Sequence, residues 1–290
     1  MHKDFSIVIP AKNEGENLES LLPNIRSLFP EISIIVVDDG STDDTNQVAN
    51  KHGAKTVSHP YCMGNGAAIK TGARSCESKY IIFMDADGQH DPAYIQILMD
   101  KILTGYDMVV GARTHESQAN IMRGFGNKVY NYIASTVTGH QIKHLTSGFR
   151  AVNRNLFLRY LYLLPNGFSY PTTITMAFFR SGYSVTYESI VANKRLGKSH
   201  INLTKDGIRF LIIIIKIASL YSPLKVFTPV SLATASLGLI NYGYTYITAE
   251  RFTNMSALLI IVSIIIFMLG LLAEQITVLT YAASERRKSD

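Results

Sequence analysis

The sequence predicts an α/β fold, a mostly parallel sheet with helices on both faces, continued by an apolar two-helix hairpin. Three observations carry this. Over residues 1–193, short β-rich runs alternate with amphipathic stretches, the rhythm of strands joined by crossover helices. Several of the runs end in clusters of acidic and polar residues. Past residue 200 the composition changes, and residues 226–247 and 257–282 form two long apolar runs.

Taken in order, the strand candidates are residues 5–10, 33–38, 54–58, 80–84 and 107–111. Each is rich in Ile, Val, Phe or Tyr and closes at a turn-forming residue. Between them the apolar spacing predicts helices over 17–29, 42–52, 66–75 and 91–103. Ser41 and Asp91 are suited to begin two of these helices as caps, with Pro92 at a first helical position. A further β-rich segment at 147–152 and a helix at 171–180 complete this part.

Residues 226–247 carry no charge, and 257–282 carry only Glu274. A helix needs roughly 20 residues to cross a hydrocarbon core of about 30 Å. With residues 248–254 as a short link, the two runs predict a transmembrane hairpin. The rival reading is a pair of core helices in a large soluble domain. Glu274 falls about 7 Å past the middle of its run, so it is expected to face protein rather than lipid. Residues 206–220 mix Arg209 and Lys216 with Phe210 and Leu211, which predicts a helix in the headgroup plane; the alternative is a third transmembrane span, which Lys216 in its middle argues against. The expected organisation is therefore an α/β domain over 1–193, a basic juxtamembrane segment over 194–225, and a hairpin with a basic tail over 226–290.

The net charge is +6 and the isoelectric point about 9.1. Such a balance suits nucleic acid, anionic lipid or an anionic substrate. The bases gather late, at Lys194, Arg195, Lys198, Lys205, Arg209, Lys216 and Lys225, then Arg286, Arg287 and Lys288. They flank the apolar runs, which favours a membrane surface, and no nucleic-acid-binding motif is present. The same bias places both termini on the cytoplasmic side. Cys62 and Cys76 lack zinc-type spacing and read as reduced thiols. Residues 5–10 are too short for a signal peptide and are followed at once by charge.

The chemistry concentrates where strands end. The first run leads into Pro10, Ala11, Asn13 and Glu14, the second into Asp38, Asp39, Ser41 and Asp43, and the fourth into Asp85, Asp87, Gln89, His90 and Asp91. Ligands of open α/β sheets bind at this edge. Asp85 and Asp87 are two apart, so in an extended segment they face the same way. Paired hard carboxylates suit Mg²⁺ or Mn²⁺ on a diphosphate; a solvated acidic turn is the plain alternative.

Together these segments resemble the inverting glycosyltransferase family 2, with its GT-A fold, over residues 5 to about 200. Gly64-Asn65-Gly66-Ala67-Ala68 and Thr146-Ser147-Gly148-Phe149-Arg150 narrow the resemblance to the polyprenyl-phosphate glycosyltransferases. That group includes dolichyl-phosphate mannose synthase and bacterial undecaprenyl-phosphate sugar transferases. The resemblance implies that Pro10, Ala11, Asn13 and Glu14, with Asp38, Asp39 and Gly66, hold the nucleotide. Asp85 would touch the nucleotide, Asp87 would coordinate the metal, and Gln89 would support the metal or sugar. Arg113 would approach the diphosphate or sugar. Arg123, Arg195, Lys198 and Ser199 would take the acceptor phosphate.

One position departs from the group, which often has Asp where this chain has His144. The implied partners are a nucleotide sugar, a polyprenyl phosphate and a bilayer, with no nucleic acid; a homo-oligomer through the hairpin stays open. The motif after the fourth strand leans toward a UDP-sugar, with GDP-mannose the alternative. A processive polysaccharide synthase would need a Gln-x-x-Arg-Trp motif, and the chain has no Trp. A non-catalytic nucleotide-sugar-binding scaffold is the rival of another class.

Overall fold

The computed structural model describes residues 2–113, 135, 146–167, 169–191, 219 and 222–286. The described residues fall into two compact units, one drawn from residues up to 201 and one from residue 202 onward.

The first unit is built on a seven-stranded sheet among the described residues. Its strands are β1 (Phe5–Ala11), β2 (Ser33–Asp38), β3 (Lys55–Ser58), β4 (Tyr80–Phe83), β5 (Met108–Arg113), β6 (Arg150–Asn153) and β7 (Val185–Ile190). Their spatial order is β3-β2-β1-β4-β6-β5-β7. All neighbours are parallel except at β6, which runs antiparallel to both β4 and β5. Central strands of such a sheet are covered on both faces and read as unbroken apolar runs. Accordingly Ile7, Val8 and Ile9 of β1 and Ile34, Ile35, Val36 and Val37 of β2 are all buried. β3, at the edge, keeps Lys55 and Ser58 exposed, which blunts edge pairing.

Helices α1 (Gly15–Leu28), α2 (Thr45–Lys51), α3 (Asn65–Ser75), α4 (Tyr94–Leu103), α5 (Arg154–Arg159) and α6 (Tyr170–Arg180) accompany the sheet. α1 buries Leu18, Leu21, Leu22 and Ile25; α4 buries Ile95, Leu98, Met99 and Ile102. Both sets follow the i, i+3, i+4, i+7 spacing of one helix face. Two helices start later than expected. Ser41 does not cap α2, because its hydroxyl accepts the amide of Asn13 (2.9 Å) instead. Pro92 lies before α4: the Asp91 carboxylate accepts the amide of Ala93 (2.9 Å) in a turn that precedes the helix. α5 and β7 were not anticipated. α5 is only six residues long, begun by the Asn153 side chain, which accepts the amides of Asn155 and Leu156. β7 mixes polar and apolar residues and is only half buried over most of its length.

The second unit pairs α7 (Pro223–Ala249) with α8 (Asn254–Arg286). Ser231 donates to the carbonyl of Ser263 (2.8 Å), and Asn241 donates to the hydroxyl of Ser256 (2.9 Å). Rising numbers on one helix meet falling numbers on the other, so the pair is antiparallel. At the bend, Glu250 adopts a left-handed conformation and its amide closes on Tyr246. Both helices are long and apolar enough to cross a bilayer, and only 17% of each most apolar window is buried. A core helix of a soluble domain would be mostly covered. Val230, Leu232, Ile240, Leu258, Ile261 and Ile264 all point outward.

Glu274 faces protein, as expected: its Oε2 accepts the amide of Leu224 at 3.4 Å. The first amides of a helix have no partner within it, and a carboxylate there also meets the positive end of the helix dipole. Glu274 is level with Leu224, beside Lys225, where the uncharged run of α7 begins rather than well inside it.

Candidate active site

Strand direction assembles the site. β2, β1, β4 and β5 point the same way, so Asp38, Ala11, Phe83 and Arg113 all end at one edge of the sheet. The segments that follow, with Asn13 and Glu14, Asp39, and Asp85 and Asp87, leave from that edge. The antiparallel β6 starts there, which brings Ser147, Gly148 and Phe149 to the same place.

The loops after β1 and β2 are stitched together. Asn13, at φ 54°, accepts the amide of Thr42 on its side-chain oxygen (2.8 Å). Glu14 gives its amide to the hydroxyl of Thr45 (2.9 Å), and Gly15 gives its own to Asp43 (3.1 Å). Asp38, only 6% exposed, accepts the amide of Ser41 (2.9 Å). Pro10 and Ala11 close the β1 side, paired in register with Val37 and Asp38.

Asp39, expected at the nucleotide, is the hub of the loop after β3. Its Oδ1 accepts from His59 Nδ1 (2.7 Å) and the amide of Met63 (2.8 Å). Its Oδ2 accepts from the Cys62 thiol (3.2 Å) and the amide of Gly64 (2.8 Å). A carboxylate offers about four acceptor positions, and these four donors take them. Burial pushes the Asp39 pKa up, but the donors outweigh it and hold the carboxyl below its ordinary value. Gly66, also expected at the nucleotide, sits in the first turn of α3. Its amide and that of Ala67 bond the carbonyls of Gly167 (3.1 Å) and Asn166 (2.9 Å). The start of α3 thus docks residues 165–167, and a Cβ on Gly66 would collide with the Pro165 carbonyl.

Asp85 and Asp87 sit half-buried beyond β4, with buried Ala86 between them. Asp87 Oδ1 accepts the amide of Gln89 (3.2 Å), and Gly88 makes the turn at φ 68°. His90 is buried, stacked on Phe149 (centroids 4.9 Å apart), with Nε2 4.0 Å from Asp85 Oδ2. Among the described residues no three His, Cys, Asp or Glu side chains gather in a metal-binding group. Two hard carboxylates at an accessible edge fit Mg²⁺ or Mn²⁺, which take few protein ligands when substrate phosphate oxygens supply the rest.

The backbone of Arg113 closes β5 in register with Ile190 of β7. Arg123, His144, Arg195, Lys198 and Ser199 lie outside the described residues. The sequence reading gave no role to Gly148 or Arg150, although their motif stood out. What marks them is three-dimensional: Gly148 lies against Asp85, and Arg150 is wholly buried behind it.

Residues 6–161 match the family model of glycosyl transferase family 2, and residues 222–279 match that of the GtrB C-terminal hairpin. The chain is 26% identical over 206 residues to a dolichyl-phosphate hexose transferase of Haloferax volcanii, covering 70% of this chain and 89% of that one. It is 30% identical over 187 residues to an undecaprenyl-phosphate 4-deoxy-4-formamido-L-arabinose transferase of Pseudomonas fluorescens, covering 58% and 54%. The matched stretch thus spans about half the length of that second relative. Glucosyl-3-phosphoglycerate synthase from Mycobacterium tuberculosis shares the fold, at a TM-score of 0.61 and 20% identity over 74% of this chain and 79% of that one. With more than half of its length matched by the family model, the chain belongs to glycosyl transferase family 2.

Proposed function

We propose that this chain transfers a hexose from a nucleotide diphosphate sugar to a polyprenyl phosphate at the cytoplasmic face of a membrane. The observation that carries the reading is the union, in one chain, of an Asp85/Asp87 pair at a parallel-sheet edge with an apolar helical hairpin. The two named transferases above act on dolichyl and undecaprenyl phosphate, which supports a lipid phosphate as acceptor. Lys225 at the head of α7, and Arg286, Arg287 and Lys288 at the end of the chain, favour both helix ends on the cytoplasmic side. A UDP-sugar is the favoured donor, on the motif that runs from Asp87 to Pro92; GDP-mannose is the alternative.

The acceptor phosphate has a second pKa near 6, so at neutral pH it is largely a dianion and attacks without a general base. Its oxygen forms the new bond to the anomeric carbon as the bond to the nucleoside diphosphate breaks on the opposite side. The configuration at that carbon inverts. The protein's task is then to orient the two substrates and to stabilise the charge on the departing diphosphate. Asp87, with Asp85 and Gln89, would hold a divalent cation, which when bound offsets that charge. Arg113 would face the diphosphate or sugar, and Arg123, Arg195, Lys198 and Ser199 the acceptor phosphate. Asn13, Glu14 and Asp38 would lie along the nucleotide, on loops already braced against each other.

Titration of the full chain with UDP and with GDP, with Mn²⁺ or with chelator, tests this site. One nucleotide should bind in a metal-dependent way, and Asp87→Ala should remove that binding while leaving the melting temperature in place. Binding that is indifferent to chelator and to Asp87→Ala would overturn the metal role.

A further inference from the structure

Arg150 is 0% exposed, and no carboxylate among the described residues lies within ion-pair distance of it. Its guanidinium donates to the Pro171 carbonyl (3.1 Å), the Thr175 hydroxyl (3.0 Å) and the Ser147 carbonyl. It also lies over the Tyr170 ring, 5.8 Å from the centroid. Burying a cation without a direct partner is costly, and an interior needing only volume would use a hydrophobe. The placement therefore asks for a purpose nearby.

That purpose lies one residue along. Ser147, which Arg150 holds by its carbonyl, leads into Gly148. A Cβ on Gly148 would come within 2.9 Å of Asp85 Oδ2 and 3.1 Å of Oδ1, so the bare backbone forms a wall against that carboxylate. The Gly148 carbonyl accepts the Tyr170 hydroxyl (3.2 Å), which ties the wall to the same helix that receives Arg150. Phe149 stacks on His90, the buried ring beside Asp85. The charge of Asp85 also reaches the guanidinium, opposing the lowering of its pKa by burial. The Ser147 hydroxyl is buried with no hydrogen-bond partner among the described residues, so the turn still has a polar group to offer.

We propose that Arg150 is a positioning residue of the donor site, fixing the turn of Ser147 and Gly148 so that Asp85 is held in place for the nucleotide and its cation. The inference rests on the reading of Asp85 and Asp87 as the donor site. It is tested on the full chain in detergent, with UDP and GDP as probes and Mn²⁺ titrated at fixed nucleotide. Replacing a buried ion by a hydrophobe of similar volume often leaves a fold intact, so Arg150→Met should melt near the wild-type temperature. Its affinity for Mn²⁺ should fall roughly 10- to 100-fold, the usual effect of losing a residue that orients a ligand. Arg150→Lys, which keeps the charge but reaches fewer acceptors, should fall between. Gly148→Ala should show the same loss with the Arg150 contacts intact, because its methyl group reaches Asp85 directly.

If wild type binds neither nucleotide with Mn²⁺, the reading of the site falls and this inference with it. If wild type binds and Arg150→Met binds Mn²⁺ equally well, the inference alone is overturned, whatever Gly148→Ala shows. Should Arg150→Met fail to fold, Arg150→Lys and Thr175→Val, which weaken the same contacts, decide between the same two results, each with a smaller loss.

Discussion

Asp38 and Asp39 are adjacent in sequence and both buried, yet they do different work. Asp38 ends its strand and holds the turn at Ser41; Asp39 gathers a loop that begins twenty residues later. Sequence alone presents two equivalent carboxylates, because the donors that distinguish them belong to His59, Cys62, Met63 and Gly64. The Asp85/Asp87 pair was legible, since strand end and i+2 spacing are both local. Asp39 also gives a pH prediction. Its pKa lies below the ordinary 3.8 in the folded chain, so the unfolded chain takes up a proton first on acidification. Its stabilisation is present above about pH 4 and is lost as pH falls through the folded value. Asp39→Asn should therefore be less stable than wild type at pH 6–8, by about 1–3 kcal/mol for donors left poorly matched. The gap should narrow below pH 4. Melting curves across pH 3–8 check this, and a gap that stays constant to pH 3 would contradict it.

At the scale of elements, the helices with a clean 3.6-residue period were found nearly to their ends. α1 and α4 each bury one face at that spacing. Elements that escaped, α5 and β7, are short or half buried, so neither carries a long apolar pattern. The start of α3 shows a subtler limit. Gly64 and Gly66 stand out only as a motif, and what they do is visible in space: the amides of Gly66 and Ala67 are bonded to the backbone of residues 166–167. The glycines are there for close approach of two backbones. A methyl group at Gly66 meets the Pro165 carbonyl, which cannot swing aside as a side chain would. Gly66→Ala should cost about 1–3 kcal/mol, as overpacking does, seen as a lower melting temperature. An unchanged melting temperature would mean that residues 165–167 do not dock there. The hairpin was legible from hydropathy, whereas the level of Glu274 was not, because it depends on where the partner helix starts.

At the scale of the whole molecule, the chain joins a family 2 glycosyltransferase fold to two helices whose apolar faces remain largely uncovered. Those faces suit lipid, and the bases around them suit anionic headgroups. In this account the hairpin brings a water-soluble donor site to an acceptor that cannot leave the bilayer. A chain ending at residue 197 should keep nucleotide affinity within about twofold, since the strand-end loops are unchanged. Its transfer to long-chain polyprenyl phosphate in vesicles should drop at least about tenfold, because it lacks the apolar hairpin and the bases that flank it. Undiminished transfer would show that the hairpin is dispensable. The most direct test of the central claim is the mass of the lipid product. The purified full chain would be incubated with Mn²⁺ or Mg²⁺, undecaprenyl phosphate, and UDP- and GDP-sugars in turn. The account predicts one new species heavier than the lipid phosphate by a single hexosyl unit, formed with at least one donor and absent with Asp87→Ala. Release of free sugar with the lipid phosphate unchanged, or no product from any donor, would contradict it.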